Sequence, residues 1–126
     1  MIDTVVFDVG GVLVEWDPRH VYRALLEDHE IDAFFARVPL FERNYRDNDR
    51  GVPIAVTVDE LCALHPDDAE LIRTWGARYP DMAHRVDDDV VAIVEALHAR
   101  GVRLLALSNA PSEMTSVWRA VWKRRT

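Results

Sequence analysis

Two short apolar segments, each ending in a polar turn, constrain this chain most. Residues Ile2 to Phe7 are rich in β-branched and aromatic types and run directly into Asp8-Val9-Gly10-Gly11-Val12-Leu13, the pattern of a buried strand ending in a glycine turn. Residues Val102 to Leu107 repeat it and lead into Ser108-Asn109-Ala110-Pro111-Ser112. Just before the second segment, Asp87-Asp88-Asp89 opens the strongest helical pattern in the chain. Acids there meet the positive end of the helix dipole, Val90, Val91, Ile93, Val94 and Leu97 form the apolar face, and Gly101 follows the helix end. A strand, a crossover helix and a second strand make a right-handed parallel unit, so the predicted class is α/β.

Between the two strands the chain reads as helical throughout. Asp17 followed by Pro18 supplies an N-cap and a residue preset for the first turn, which predicts a helix from about Pro18 to Asp28. Further helices are expected over Ile31 to Val38 and from Pro39 to Arg50, where Gly51 stops the last of them. Thr57-Val58-Asp59-Glu60 has capping-box spacing, with Leu61 and Leu64 following and Pro66 ending the helix. Asp67 to Tyr79 places Leu71, Ile72 and Trp75 on one stripe before Pro80. A last helix is expected over Ser112 to Trp122, with Lys123-Arg124-Arg125 as a solvated tail. Residues 15–85 thus read as a helical lobe apart from a core made of 1–14 and 86–126.

Composition closes off other classes. The chain has 126 residues, 49% of them hydrophobic, enough for a core without disulfides or structural metal. A net charge of −7 disfavours a phosphate backbone, so nucleic acid is not an expected partner. Asp3 and Asp8 interrupt what a signal peptide would need, and there is no apolar run of membrane-spanning length, so no membrane partner is expected. The single cysteine, Cys62, reads as a buried small hydrophobe in a reducing compartment, and a cytoplasmic location is expected. The five histidines share no ligand spacing and read as surface or cap residues, and the Asp87 to Asp89 run reads as a helix start rather than a metal site. Trp118 and Trp122, four apart on one helix, read as core.

An aspartate at the C-terminal end of a parallel strand stands where open α/β sheets bind ligands. The Asp8 carboxylate could attack phosphorus or carbon, with Gly10 and Gly11 letting backbone groups approach closely. The same four residues also make a plain turn in which Asp8 accepts local N–H bonds. Ser108 and Asn109 end the second strand, where a hydroxyl and an amide could hold a phosphate oxygen, although the pair is equally at home in a turn.

The segment Val5-Val6-Phe7-Asp8-Val9-Gly10-Gly11-Val12-Leu13, with Trp16-Asp17-Pro18-Arg19 after it, resembles motif I of the haloacid dehalogenase-like (HAD) hydrolase superfamily. Leu105-Ala106-Leu107-Ser108-Asn109 resembles motif II. Asn44, Asp49-Arg50-Gly51 and Tyr79-Pro80-Asp81-Met82 resemble the helical cap of the subgroup related to sugar-phosphate phosphatases. The resemblance implies a partial Rossmann-like parallel core with an inserted all-helical cap. It implies Asp8 as nucleophile, Gly10, Gly11, Ser108 and Asn109 around a phosphate, and Mg²⁺ held by the Asp8 carboxylate and the Gly10 carbonyl. A small phosphorylated metabolite is the implied substrate, and Asp17 and Arg19 would lie near the cap entrance.

The sequence departs from that pattern twice. Gly10 stands where most phosphatases of the superfamily carry a second aspartate as general acid/base, so another donor or water must protonate the leaving oxygen. The lysine after motif II and the later acidic Mg²⁺ ligands have no counterpart on a strand, for Glu113 lies in the last predicted helix and Lys123 at its end. The expectation is an N-terminal part of a hydrolase, truncated after motif II, with Val5, Val6, Leu105 and Leu107 near an unpaired sheet edge that invites self-association. The alternatives are a dehalogenase, in which the same carboxylate displaces halide from carbon, and a non-catalytic remnant or binding module.

Overall fold

The computed structural model describes residues 1–125. Its elements are β1 (Thr4–Asp8), β2 (Glu15–Trp16), α1 (Pro18–Tyr22), α2 (Asp28–Arg37), α3 (Leu40–Arg46), α4 (Ile54–Leu64), α5 (Ala69–Ala77), β3 (Ala83–Arg85), α6 (Asp88–Ala99), β4 (Arg103–Leu107) and α7 (Thr115–Arg125). The class is mixed α/β, rich in helix. Two compact units are formed: Met1–Trp16, Ala83–Ser108 and the chain from Thr115 make the first, and Asp17–Met82 with Asn109–Met114 make the second.

In the first unit β1 and β4 pair in parallel, with Thr4 opposite Arg103 and Asp8 opposite Leu107. Side chains alternate between the two faces of a sheet, so Val6, Asp8, Leu105 and Leu107 share one face. That face is open: Val6 is 54%, Leu105 43% and Leu107 69% exposed. Val5, Phe7 and Leu104 on the other face are half-buried. Asp87 caps α6, its Oδ1 accepting the N–H of Asp89 at 2.8 Å and of Val90 at 3.4 Å, and Gly101 follows the helix end at φ +77°. Of the apolar stripe on α6 only Val91 is fully buried, while Ile93 is exposed, because two strands make too narrow a surface to cover a whole stripe. The antiparallel pair β2 and β3 is absent from the sequence reading, since two or three residues are too few for alternation to register. Helix α7 continues through Arg125, so the basic residues after Trp122 extend it rather than form a tail. Thr126 lies outside the described residues.

In the second unit α1 stops at Tyr22 rather than Asp28. The Tyr22 carbonyl accepts the N–H groups of Leu25 and Leu26, and Glu27 and Glu30 start α2 with a reciprocal cap in which the Glu27 N–H donates to Glu30 Oε1 at 3.1 Å. The chain turns there, leaving Leu25 exposed. Helix α4 starts at Ile54, three residues before the expected capping box, because Pro53 already holds a φ of −58° that leads into a helix. Thr57 therefore lies inside the helix, buried, with its hydroxyl accepting from Asn48 Nδ2 at 2.8 Å, and Glu60 pairs with Arg43. Ile72 and Trp75 are buried as the stripe on α5 requires, and Leu71 is half-buried. A run of ring contacts links Tyr22, Phe35, Phe41, Trp75 and Tyr79, with centroids 4.9 to 6.1 Å apart in edge-on or steeply tilted pairs. Each such pair adds about 0.5–1.5 kcal/mol beyond area burial. Cys62 is half-buried rather than buried, its thiol directed at the Ala69 carbonyl at 3.6 Å. No helix among the described residues is long and apolar enough to cross a membrane.

Candidate active site

Asp8 is the last residue of β1, and its register partner Leu107 is the last residue of β4, so Ser108 follows at the same end of the parallel pair. Neighbouring strands run about 5 Å apart, which sets the scale of the separation between the two backbones. Asp8 is exposed. Its Oδ1 accepts the Val9 N–H at 2.8 Å, the local bond that a turn reading requires, and Oδ2 accepts nothing among the described residues. One oxygen is thus held while the other faces outward, an arrangement that suits a turn and a nucleophile equally.

The loop after β1 spends nearly all its donors on itself. The Val9 carbonyl accepts from Val12, Leu13 and Val14 at 2.9 to 3.2 Å, and the Gly11 N–H reaches the Val14 carbonyl at 2.8 Å. The Gly10 N–H has no partner among the described residues, which leaves it as the loop donor able to meet an anion. Gly11 has φ +79°, a left-handed conformation that a side chain disfavours, whereas Gly10 lies against the Trp118 indole, whose Cη2 is 3.6 Å from where a Cβ would stand. Asp8, Gly10, Gly11 and Ser108 therefore belong to one unit and one sheet end, while Asn109 falls in the second unit.

No family model, no curated protein and no solved structure matches this chain. The donor set for a cation here is one carboxylate and the backbone carbonyl of Gly10, and among the described residues no three His, Cys, Asp or Glu side chains are grouped to hold a metal ion. Such a set fits Mg²⁺ only as an ion that keeps most of its waters and shares a phosphate with the protein, which is how Mg²⁺ commonly binds.

Of the remaining candidates, Asp17, Arg19 and His84 have local partners. Asp17 caps α1 through Oδ1 to the Arg19 N–H at 3.0 Å and pairs with Arg23 at 3.1 Å, and Arg19 pairs with Asp32 at 2.7 Å. His84 faces Glu15 at 3.8 Å. Glu113 lines a hollow of the second unit between α4 and α5. Lys123 lines one of the first unit, beside Val9 and the two tryptophans of α7. Trp118 is buried, as its expected place in the core requires, and Trp122 is half-buried, while the hollow beside them is not apparent from the sequence. A trace of it is that Arg119 and Lys123 repeat the tryptophan spacing one residue on.

In the second unit, burial pushes the Tyr22 and Tyr79 hydroxyls well above the usual phenol range, while Tyr79 donates to Asn44 Oδ1 at 2.8 Å. Burial also raises the Asp49 carboxyl, and hydrogen bonds from Arg46 and Arg43 pull Asp47 down to about 2.

Proposed function

We propose that this chain is a hydrolase of the HAD-like type with a Rossmann-like core, acting on a small phosphomonoester through an aspartyl-phosphate intermediate. The supporting observation is the parallel register that puts Asp8 and Ser108 at one strand end, beside a loop with a single unspent donor at Gly10. Asp8 Oδ2 attacks phosphorus in line with the ester oxygen. An O–P bond forms, the ester P–O bond breaks, and the departing alkoxide takes its proton from water, since Gly10 carries no acid. Water then attacks the phosphorus of the acyl phosphate, releasing inorganic phosphate and restoring the carboxylate. Ser108 and the Gly10 N–H hold phosphate oxygens in both steps, and Gly11 supplies the loop conformation that presents that N–H. Asp8 and the Gly10 carbonyl would hold Mg²⁺, which when bound supplies positive charge between the carboxylate and the substrate dianion. Self-association through the open sheet is part of the same reading, since Val6, Leu105 and Leu107 stand exposed on it.

The test is release of p-nitrophenol from p-nitrophenyl phosphate with and without Mg²⁺, beside halide release from haloacids, in the natural chain and Asp8→Asn. Mg²⁺-dependent phosphate release that disappears in Asp8→Asn supports the proposal. Halide release without metal would favour the dehalogenase. No Asp8-dependent turnover of either substrate would favour a non-catalytic module.

A further inference from the structure

Helix α7 carries two pairs of side chains at helical spacing, Trp118 with Trp122 and Arg119 with Lys123. The indoles line an apolar hollow of about 250 Å³ in the first unit, with Val9 and Val14 forming other parts of its wall. Val14 is 1% and Trp118 9% exposed, so this part of the wall is well packed. Arg119 and Lys123 also border the hollow, are exposed, and have no carboxylate partner among the described residues. The chain as a whole has a net charge of −7, so two neighbouring cations without a carboxylate partner among the described residues give this hollow a local charge of the opposite sign. The volume lies below the roughly 300–1,000 Å³ of sites for drug-sized molecules, so the occupant is small.

We infer that this hollow binds a small amphipathic organic anion, its apolar body against Trp118, Trp122, Val9 and Val14 and its anionic group between Arg119 and Lys123. Apolar contact supplies the affinity, because both indoles are flat and the Trp118 ring is already held by packing. The cations supply the selectivity, since an anion replaces the water around two like charges that otherwise repel one another. This site is separate from the Asp8 chemistry and does not depend on it. Yet Trp118 touches Gly10, so an occupant sits one residue contact away from the strand-end loop.

The experiment is calorimetric titration of the full chain with naphthalenesulfonate, with uncharged naphthylmethanol and with inorganic sulfate, repeated on Arg119→Gln/Lys123→Gln. The expected result is one saturable naphthalenesulfonate per chain, naphthylmethanol binding about tenfold or more weaker, and no sulfate binding in that range. The double variant should bind naphthalenesulfonate about tenfold more weakly and naphthylmethanol as before. Should that variant fail to fold, Ala106→Leu narrows the hollow from β4 without touching the charges and should weaken both aromatic ligands. Equal binding of the charged and neutral aromatics would overturn the inference. So would unchanged naphthalenesulfonate binding in the variants, or binding seen only when two copies associate. Loss of phosphatase activity in Asp8→Asn with naphthalenesulfonate binding intact separates this site from the proposed active site.

Discussion

The ring of Trp118 lies against Gly10, with Cη2 3.6 Å from the position a Cβ would take, whereas nothing lies within 4 Å of the corresponding point on Gly11. Space would suggest that Gly11 tolerates substitution better, but backbone conformation reverses the order. Gly11 holds φ +79° and Gly10 does not have a positive φ. Gly11→Ala should cost about 1–2 kcal/mol, the left-handed penalty. Gly10→Ala makes only ordinary contact and should leave stability unchanged or raise it by about 0.5 kcal/mol. Urea unfolding followed by circular dichroism reads both.

Tyr79 and Asn44 share a buried hydrogen bond of 2.8 Å in the second unit, Asn44 being 3% exposed. Tyr79→Phe keeps the ring and its contact with Trp75 but leaves the Asn44 amide oxygen without its donor. The expected loss is about 1–3 kcal/mol in urea unfolding. Pairing it with Asn44→Leu, which removes the orphaned acceptor, should recover part of that loss.

Acid should weaken the second unit through Asp47. Hydrogen bonds from Arg46 and Arg43 hold its folded pKa at about 2 against an ordinary 3.8. A depressed folded pKa means that its contribution is complete above the unfolded value and is lost as pH falls through the folded one. Arg37 lowers Asp68 in the same sense, while burial raises Asp49, whose protonation on acidification relieves a cost. Unfolding midpoints should fall between about pH 4 and about pH 2. That fall should be shallower in Asp47→Asn and steeper in Asp49→Asn.

Val6, Leu105 and Leu107 occupy one open face of the parallel pair, and parallel sheets normally have both faces covered. Sedimentation velocity should therefore show association that grows with protein concentration. Leu105→Lys with Leu107→Lys should shift the equilibrium toward monomer without loss of helical circular dichroism, since both residues are already exposed. A monomer at every concentration would show that the face does not self-associate.

The legible parts of the fold were those with a strong local signal. The β1 and β4 segments announced themselves by β-branched runs, α6 by its acidic start and Gly101, and Trp75 by its helical stripe. Errors arose where two local signals competed. At Thr57 a capping-box spacing was overridden by Pro53, and at Tyr22 a helical stripe was cut short by the cap at Glu27. The β2–β3 pair and the α7 hollow depend on residues far apart in sequence, so no window of neighbouring residues contained them. Of the candidate site, Asp8 and Ser108 were legible because Asp8 ends β1 and Ser108 directly follows β4. The unspent Gly10 N–H was not, because it emerges only when every donor of the loop is followed to its acceptor.

Trapping of the covalent intermediate tests the account most directly. The chain is incubated with p-nitrophenyl phosphate and Mg²⁺, quenched in acid, reduced with borohydride to convert an aspartyl phosphate to homoserine, and digested for mass spectrometry. The predicted result is homoserine at position 8 in the natural chain and none in Asp8→Asn. An unmodified Asp8 in a chain that turns over the substrate, or turnover undiminished in Asp8→Asn, would contradict it.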